Sequence, residues 1–326
     1  AVAIDTEFMR TDTYYPRPAL FQLYDGVTTY LIDPTTISDI SPLADLFEAP
    51  NVLKVMHSCG EDMEVFALCP GTFPKPLFDT QIAAGFAGLG FSLSYQNLVA
   101  QLLEQELEKS ATRSNWLRRP LTENQLSYAA NDVFWLLDIF YKLRTELIDL
   151  AREPWLEQEC LAVINRVENP NPDSEYYLRI RAAAKLDALA LHCLRGLCEW
   201  REQQARERNV PRNRVVPEAA LVEIARTRPT DKRKLADCEP ITPAIIRNYG
   251  DQLIDCVSTL SKDDPQSFPV AFSAQQLSDI KPIVKAMKKV VADNATALGI
   301  PAELLGRKKD LEAYYFAQDK RQSTIG

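Results

Sequence analysis

Asp5 and Glu7 stand two residues apart in Ala1-Val2-Ala3-Ile4-Asp5-Thr6-Glu7-Phe8, a segment that reads as a short, mostly apolar β-strand. Successive side chains on a strand point to opposite faces, so the two carboxylates share one face. Side by side they repel, and on a largely buried strand they are also costly to desolvate. A bound divalent cation relieves both costs, and all-oxygen ligation suits Mg²⁺ or Mn²⁺. The alternative is a solvated edge strand carrying chance acids.

A metal site needs further ligands. Asp62 follows the expected strand Val52 to Met56 and falls in the first turn of a helix expected over Glu61 to Leu68. That is the C-terminal edge of a sheet, where α/β sites usually form. Glu61 and Glu64 flank it, and the helix dipole alone would favour acids there. Asp132 lies in Tyr128-Ala129-Ala130-Asn131-Asp132-Val133, on a strongly apolar helical stretch. Tyr128 and Asp132 are four apart, one turn on one face. Read singly, Tyr128 is as well a core aromatic and Asp132 a helix-surface acid.

Taken together, Asp5-Thr6-Glu7, Asp62, and Tyr128 with Asp132 resemble the three-motif signature of the DEDD exonucleases, in the branch that carries tyrosine. Further strings are similar to the ribonuclease D family: Phe8-Met9-Arg10-Thr11, Thr13-Tyr14-Tyr15-Pro16, His57-Ser58-Cys59-Gly60-Glu61-Asp62, Asp79-Thr80-Gln81 and Arg113-Ser114-Asn115-Trp116-Leu117. The likeness runs essentially the length of the chain. Two positions depart from the pattern. Pro18 precedes a strand where a glycine-containing, unbroken run is expected, and Asn115 stands in place of an acid.

The resemblance implies an α/β ribonuclease-H-like exonuclease domain, a mixed sheet flanked by helices, followed by all-α helical domains of the HRDC type shared with RecQ-type helicases. It implies Asp5, Glu7, Asp62 and Asp132 as ligands of two divalent ions, Mg²⁺ or Mn²⁺, and Tyr128 as the residue that orients the attacking water. The activity it implies is a 3′–5′ exoribonuclease that releases nucleoside 5′-monophosphates. Its substrates would be small structured RNAs with 3′ extensions, such as transfer RNA precursors. A DNA-directed exonuclease and a non-catalytic RNA-binding protein on the same fold are the alternatives.

Other residues are candidates for substrate contact. Phe8, beside the acids, is read either as a wedge against the terminal base or as core. Gln22, mid-strand, would donate to the substrate or satisfy the sheet. His57 would orient a ligand or the start of a helix, and Arg113 would meet a phosphate, as would Arg118 and Arg119. Arg201, Arg206, Arg208, Arg212 and Arg214 form a second basic run, with a solvated helix face as the plainer reading. Asp79 more simply caps a helix than binds metal.

The elements that must position these groups follow from the pattern. Leu20 to Tyr24 and Thr29 to Ile32 flank Asp25-Gly26, a hairpin signal. A short strand is expected before Asp79. Helices are expected over Asn97 to Leu107 and Glu123 to Leu147, the latter capped by Thr122. Breakers at Glu168 to Ser174 make a first linker, and Ser261 to Pro269 a second. Between them helices are expected over Ala182 to Arg208, Glu218 to Arg226, Pro243 to Asn248 and Tyr249 to Leu260. The expected domains are therefore 1–170, 175–262 and 268–326, the last an incomplete second helical domain of the same type.

Composition bounds the rest. The chain has 326 residues and 46% hydrophobic content, enough for two or three globular domains. No stretch is long and apolar enough for a membrane span, and no signal peptide opens the chain. It starts on a strand residue rather than Met, which points to a trimmed start or one not represented. Seven scattered Cys with no CxxC and only two His argue against a zinc site and for free thiols in a reducing cytoplasm. A net charge of −8 argues mildly against a nonspecific nucleic-acid coat, leaving phosphate contacts to local basic patches. Nothing in the sequence fixes an oligomeric state.

Overall fold

The computed structural model describes residues 1–107, 114–269 and 274–322. Its residues group into two units. One comprises Ala1–Met9, Pro16–Asn169 and the chain from Pro282 onward; the other comprises Arg10–Tyr15 and Pro170–Lys281.

The first unit is built on β1 (Val2–Met9), β2 (Arg17–Tyr24), β3 (Thr29–Ile32), β4 (Lys54–Met56) and β5 (Leu77–Asp79), with α1 (Ser41–Glu48), α2 (Asp62–Leu68) and α3 (Thr80–Phe86) between and after them. The strand order is β3-β2-β1-β4-β5. β1 runs antiparallel to β2 and parallel to β4, so the sheet is mixed. The hairpin β2–β3 turns where Asp25-Gly26 predicted it, with Gly26 at φ +97°.

Then come α4 (Tyr95–Leu103), α5 (Glu123–Phe134), α6 (Leu136–Asp149) and α7 (Glu153–Glu168). α5 packs on β1, β2 and β3, while α2 lies on the other face, where Phe66 stacks on Phe21 of β2. Thr122 caps α5 in a reciprocal capping box with Gln125, as expected. The one long helix predicted from Glu123 is instead two, broken at Trp135. Periodicity could not show the break, because its cause is a side chain from α4.

Pro18 is also placed differently from expectation. It lies inside β2, at a register shift: Glu7 pairs with Leu20 and Phe8 with Pro18, leaving Ala19 as the extra residue. Such a bulge is one of the few places a strand tolerates proline.

The second unit is helical: α8 (Ala188–Glu207), α9 (Arg212–Val215), α10 (Glu218–Thr227), α11 (Lys232–Ala236) and α12 (Pro243–Leu260). α8 starts later than predicted because Asp187 caps it, accepting the Ala190 N–H at 2.7 Å; the preceding residues form short 3₁₀ turns. α12 is one helix where two were expected. Its buried stripe Ile245, Tyr249, Leu253 and Val257 continues at four-residue spacing straight past Gly250.

Arg10–Tyr15 belongs to this helical unit. The Tyr14 hydroxyl donates to Glu202 at 3.1 Å and accepts from Arg212 at 3.0 Å, with the guanidinium over its ring. Asn209 Oδ1 takes the Tyr14 and Tyr15 backbone N–H groups at 3.0 and 3.1 Å.

The C-terminal elements are α13 (Ala274–Leu298), α14 (Ala302–Leu305) and α15 (Lys308–Gln322). Among the described residues no helix is long and apolar enough to cross a membrane. All seven Cys are free.

Candidate active site

β1 presents Asp5 and Glu7 on the face covered by α5. From that helix Tyr128 and Asp132 approach, and the Tyr128 hydroxyl hydrogen-bonds Asp132. Thr6, between the two acids, points to the opposite face and there donates its hydroxyl to Asp62 at the start of α2. One strand thus gathers all four acids: two directly, one across the helix contact, one through a threonine.

Their charges act on each other. Burial raises Asp5 well above the usual carboxylate range, and the charges of Asp62, Asp132 and Glu7 push it further. Burial, then Asp132 and Asp62, lift Glu7 to about 8. Burial lifts Asp62 to about 7 against the opposing pull of the Thr6 hydroxyl. Asp132 is lifted to about 7 by burial, with the Tyr128 hydrogen bond opposing. Asp5 and Glu7, buried and within reach of the charges of Asp62 and Asp132, are unstable as anions unless a cation joins them. The donor set is all oxygen, which suits Mg²⁺ or Mn²⁺. The oxygens are not drawn into a finished cage: among the described residues no three His, Cys, Asp or Glu side chains form a ready metal-holding group.

Two of the acids, Asp5 and Asp132, line a cleft of about 160 Å³ together with His57, Tyr95, Gln96, Tyr128 and Leu136. A larger cleft of about 820 Å³ lies among the C-terminal helices, lined by Lys285, Lys288, Lys289, Arg307 and Lys308 with Glu303 as its lining acid. It has no set of groups for hydrolysis, so the smaller cleft is the site.

The remaining predicted residues fall as follows. His57 faces the cleft, but both ring nitrogens are engaged, Nδ1 with Thr80 Oγ1 at 2.9 Å and Nε2 with the Leu93 carbonyl at 3.1 Å. Burial lowers its pKa, and the two contacts fix the ring. Gln22 sits directly across from Asp5 in the β1–β2 register and is fully buried, with neither amide atom hydrogen-bonded to protein. Phe8 is half-buried against the main core. Asp79 caps α3, accepting from Gln81 and Ile82, and also takes the Ser58 and Cys59 N–H groups. Arg113 lies outside the described residues.

The basic run in the helical unit is largely committed internally. Arg201 is buried over Tyr176, Arg206 pairs with Asp173, Arg212 with Glu202, and Arg208 donates to the Tyr249 hydroxyl. These arginines hold the unit together and could meet phosphates only by giving up partners. Arg119 is equally committed, to Asp33 and three backbone carbonyls.

Sequence reasoning missed Thr6 and Tyr95. A hydroxyl residue between two acids was a signal for Thr6, since alternation sends it to the other face. Tyr95 had none, because its role depends on where α4 meets the break between α5 and α6.

A family model described as 3′–5′ exonuclease matches residues 1–148, and one described as HRDC domain matches residues 190–257. Fold and site thus define a 3′–5′ exonuclease that carries an HRDC domain. Ribonuclease D of Pseudomonas paraeruginosa is 41% identical over 312 residues, covering 96% of this chain and 83% of that protein. Ribonuclease D of Escherichia coli K12 is 36% identical over 312 residues, covering 95% and 83%. The chain belongs to the ribonuclease D family, and it is a 3′–5′ exoribonuclease. The crystal structure of Escherichia coli RNase D, described as an exoribonuclease involved in structured RNA processing, matches with a TM-score of 0.88 at 35% identity, over 95% of this chain and 83% of that one.

Proposed function

We propose that this enzyme trims the 3′ ends of small structured RNAs, transfer RNA precursors among them, in the cytoplasm, with two divalent ions held by Asp5, Glu7, Asp62 and Asp132. The observation that carries the reading is the burial of those four carboxyls: burial leaves Asp62 and Asp132 at about 7, and burial with the charges of Asp132 and Asp62 leaves Glu7 at about 8. When bound, Mg²⁺ or Mn²⁺ would acidify a water and stabilise the departing 3′ oxygen. The chain's own part is placement. β1 fixes Asp5 and Glu7, Thr6 fixes Asp62, and Tyr128 fixes Asp132.

Burial, then the charges of Asp132, Glu7 and Asp5, push the Tyr128 phenol far above its ordinary value. It keeps its proton at neutral pH and is a hydrogen-bond donor, not a base. In this reading it orients Asp132 and the attacking water.

The domain boundaries 1–170, 175–262 and 268–326 belong to the same proposal. The matches at 1–148 and 190–257 support the first two. Three helices, α13 to α15, support helical character in the third, although the chain from Pro282 groups with the exonuclease unit.

The test uses a 5′-labelled single-stranded RNA with a 3′ extension, a matched DNA, and the Asp5→Asn variant, with Mg²⁺ or Mn²⁺. A metal-dependent ladder shortening from the 3′ end is expected on RNA, weak on DNA and at least about a thousandfold slower in the variant. Equal shortening of DNA would keep the chemistry and remove the RNA preference. A near-normal rate in Asp5→Asn would remove the metal-ligand assignment.

A further inference from the structure

The break between α5 and α6 lies one residue beyond the turn that carries Asp132, and it has an identifiable cause. In an unbroken helix the Trp135 N–H would donate to the Asn131 carbonyl, four residues back. Here the Tyr95 hydroxyl stands between them. It accepts the Trp135 N–H at 3.2 Å and donates to the Asn131 carbonyl at 3.0 Å. A side chain inserted into the helix ladder in this way bends the helix. Asp132 lies inside the span that the hydroxyl props open, and Tyr128 lies one turn earlier on the regular part of α5.

The wedge is itself well founded. Tyr95 opens α4 directly after the capping Ser94, which accepts the Asn97 N–H at 3.3 Å. Its ring lies 5.7 Å from that of His57, which is fixed at both nitrogens. The same ring lines the cleft beside Asp5 and Asp132.

We infer that Tyr95 is a positioning residue: its hydroxyl, inserted between Asn131 and Trp135, sets the direction in which Asp132 meets the other three acids. This rests on the metal-ligand reading of Asp132. The hydroxyl serves one donor and one acceptor at once. A phenylalanine ring could do neither, so the helix would either close the direct Asn131–Trp135 bond and swing Asp132, or leave the Asn131 carbonyl without this donor and the Trp135 N–H with only the Val133 carbonyl.

The experiment compares wild type, Tyr95→Phe and Asp5→Asn as full chains. Mn²⁺ binding is followed by electron paramagnetic resonance, kcat and KM on the RNA with a 3′ extension, and amide hydrogen exchange at Trp135. Tyr95→Phe should lower kcat by about 10–100-fold, the scale of a small misplacement at a reacting centre, with KM for RNA unchanged and Mn²⁺ binding weakened. Wild-type kcat and Mn²⁺ affinity in Tyr95→Phe would overturn the inference. So would rapid exchange at Trp135 in the wild type, a result that needs no variant to fold. A wild type that binds no Mn²⁺, or an Asp5→Asn that binds it equally well, would instead overturn the reading beneath.

Discussion

Arg119 donates a guanidinium N–H to the carbonyl of Ala19 at 2.7 Å, and Ala19 is the extra residue of the bulge opposite Glu7 and Phe8. The bulge takes Ala19 out of the pairing ladder, and Arg119 supplies the missing partner. Its other N–H groups reach Asp33 at 2.7 Å and the Trp116 carbonyl at 2.7 Å. The guanidinium holds Asp33 down at about 2. A lysine cannot serve this fork. Arg119→Lys should cost about 2 kcal/mol, at the low end for a half-buried pair because solvent screens it. It should also slow the reaction by loosening Glu7. Urea midpoints and kcat would show it; an unchanged midpoint would mean the bulge holds without Arg119.

A second expectation concerns pH. Glu7 at about 8 and Asp62 and Asp132 at about 7 are raised above their ordinary values of 4.5 and 3.8. Over that window the folded state holds more protons than the unfolded one, so stability falls as pH rises. With EDTA, the melting temperature should drop between pH 5 and 8, and saturating Mn²⁺ should remove most of the drop. His57, lowered by burial, opposes this trend inside the window as one group against the raised acids, and two other groups act outside it. Asp33 loses its contribution only as pH falls toward about 2, and buried Lys54, lowered to about 8, adds stability above that pH. A melting temperature that rises from pH 5 to 8 in EDTA would contradict the clustering of these acids.

The sequence showed the site's chemistry better than its mechanics. Asp5 and Glu7 were legible because alternation on a strand is a strict rule, and the Thr122 cap because its reciprocal partner Gln125 is local. The mixed sheet and the helical second unit followed from the order of periodic segments. What stayed hidden depends on contacts between distant segments. The break at Trp135 needs Tyr95, forty residues earlier. The Ala19 carbonyl in the bulge of β2 meets its donor in Arg119, a hundred residues later. The arginine run looked available for RNA because its partners, Asp173, Glu202 and Tyr249, meet it only in the folded unit.

Thr6 offers a cleaner probe of Asp62 than any change to the acid. Thr6→Val keeps the shape and removes the hydroxyl that holds Asp62. Asp62 should then be harder to ionise, since that hydrogen bond is what lowers it. Activity at limiting Mn²⁺ should fall about tenfold, the effect of one charge-assisted hydrogen bond, and recover in part at high Mn²⁺. Thr6→Ser should retain most of it. Equal losses in the valine and serine variants would point to packing instead.

Tyr128→Phe separates orientation from ionisation. The phenol is already too weak an acid to lose its proton near neutrality. Its removal should lower kcat about 10–100-fold and, because its hydrogen bond holds Asp132 down, move the rise in rate at limiting Mn²⁺ to higher pH. A rise that moves to lower pH, or does not move, would mean that the phenol does not act on Asp132.

Arg10–Tyr15 groups with the helical unit although it follows directly on the strand that carries Asp5 and Glu7. Tyr14 and its partner Glu202 are 188 residues apart in the chain. At about 5–20 residues per second, a ribosome takes on the order of 10–40 seconds to cover that distance. For that time the nascent chain carries its acid-bearing strand with the next six residues still waiting for their partners. β1 itself can pair with β2 and β4 long before then, so the strand and the six residues that follow it are settled at different times.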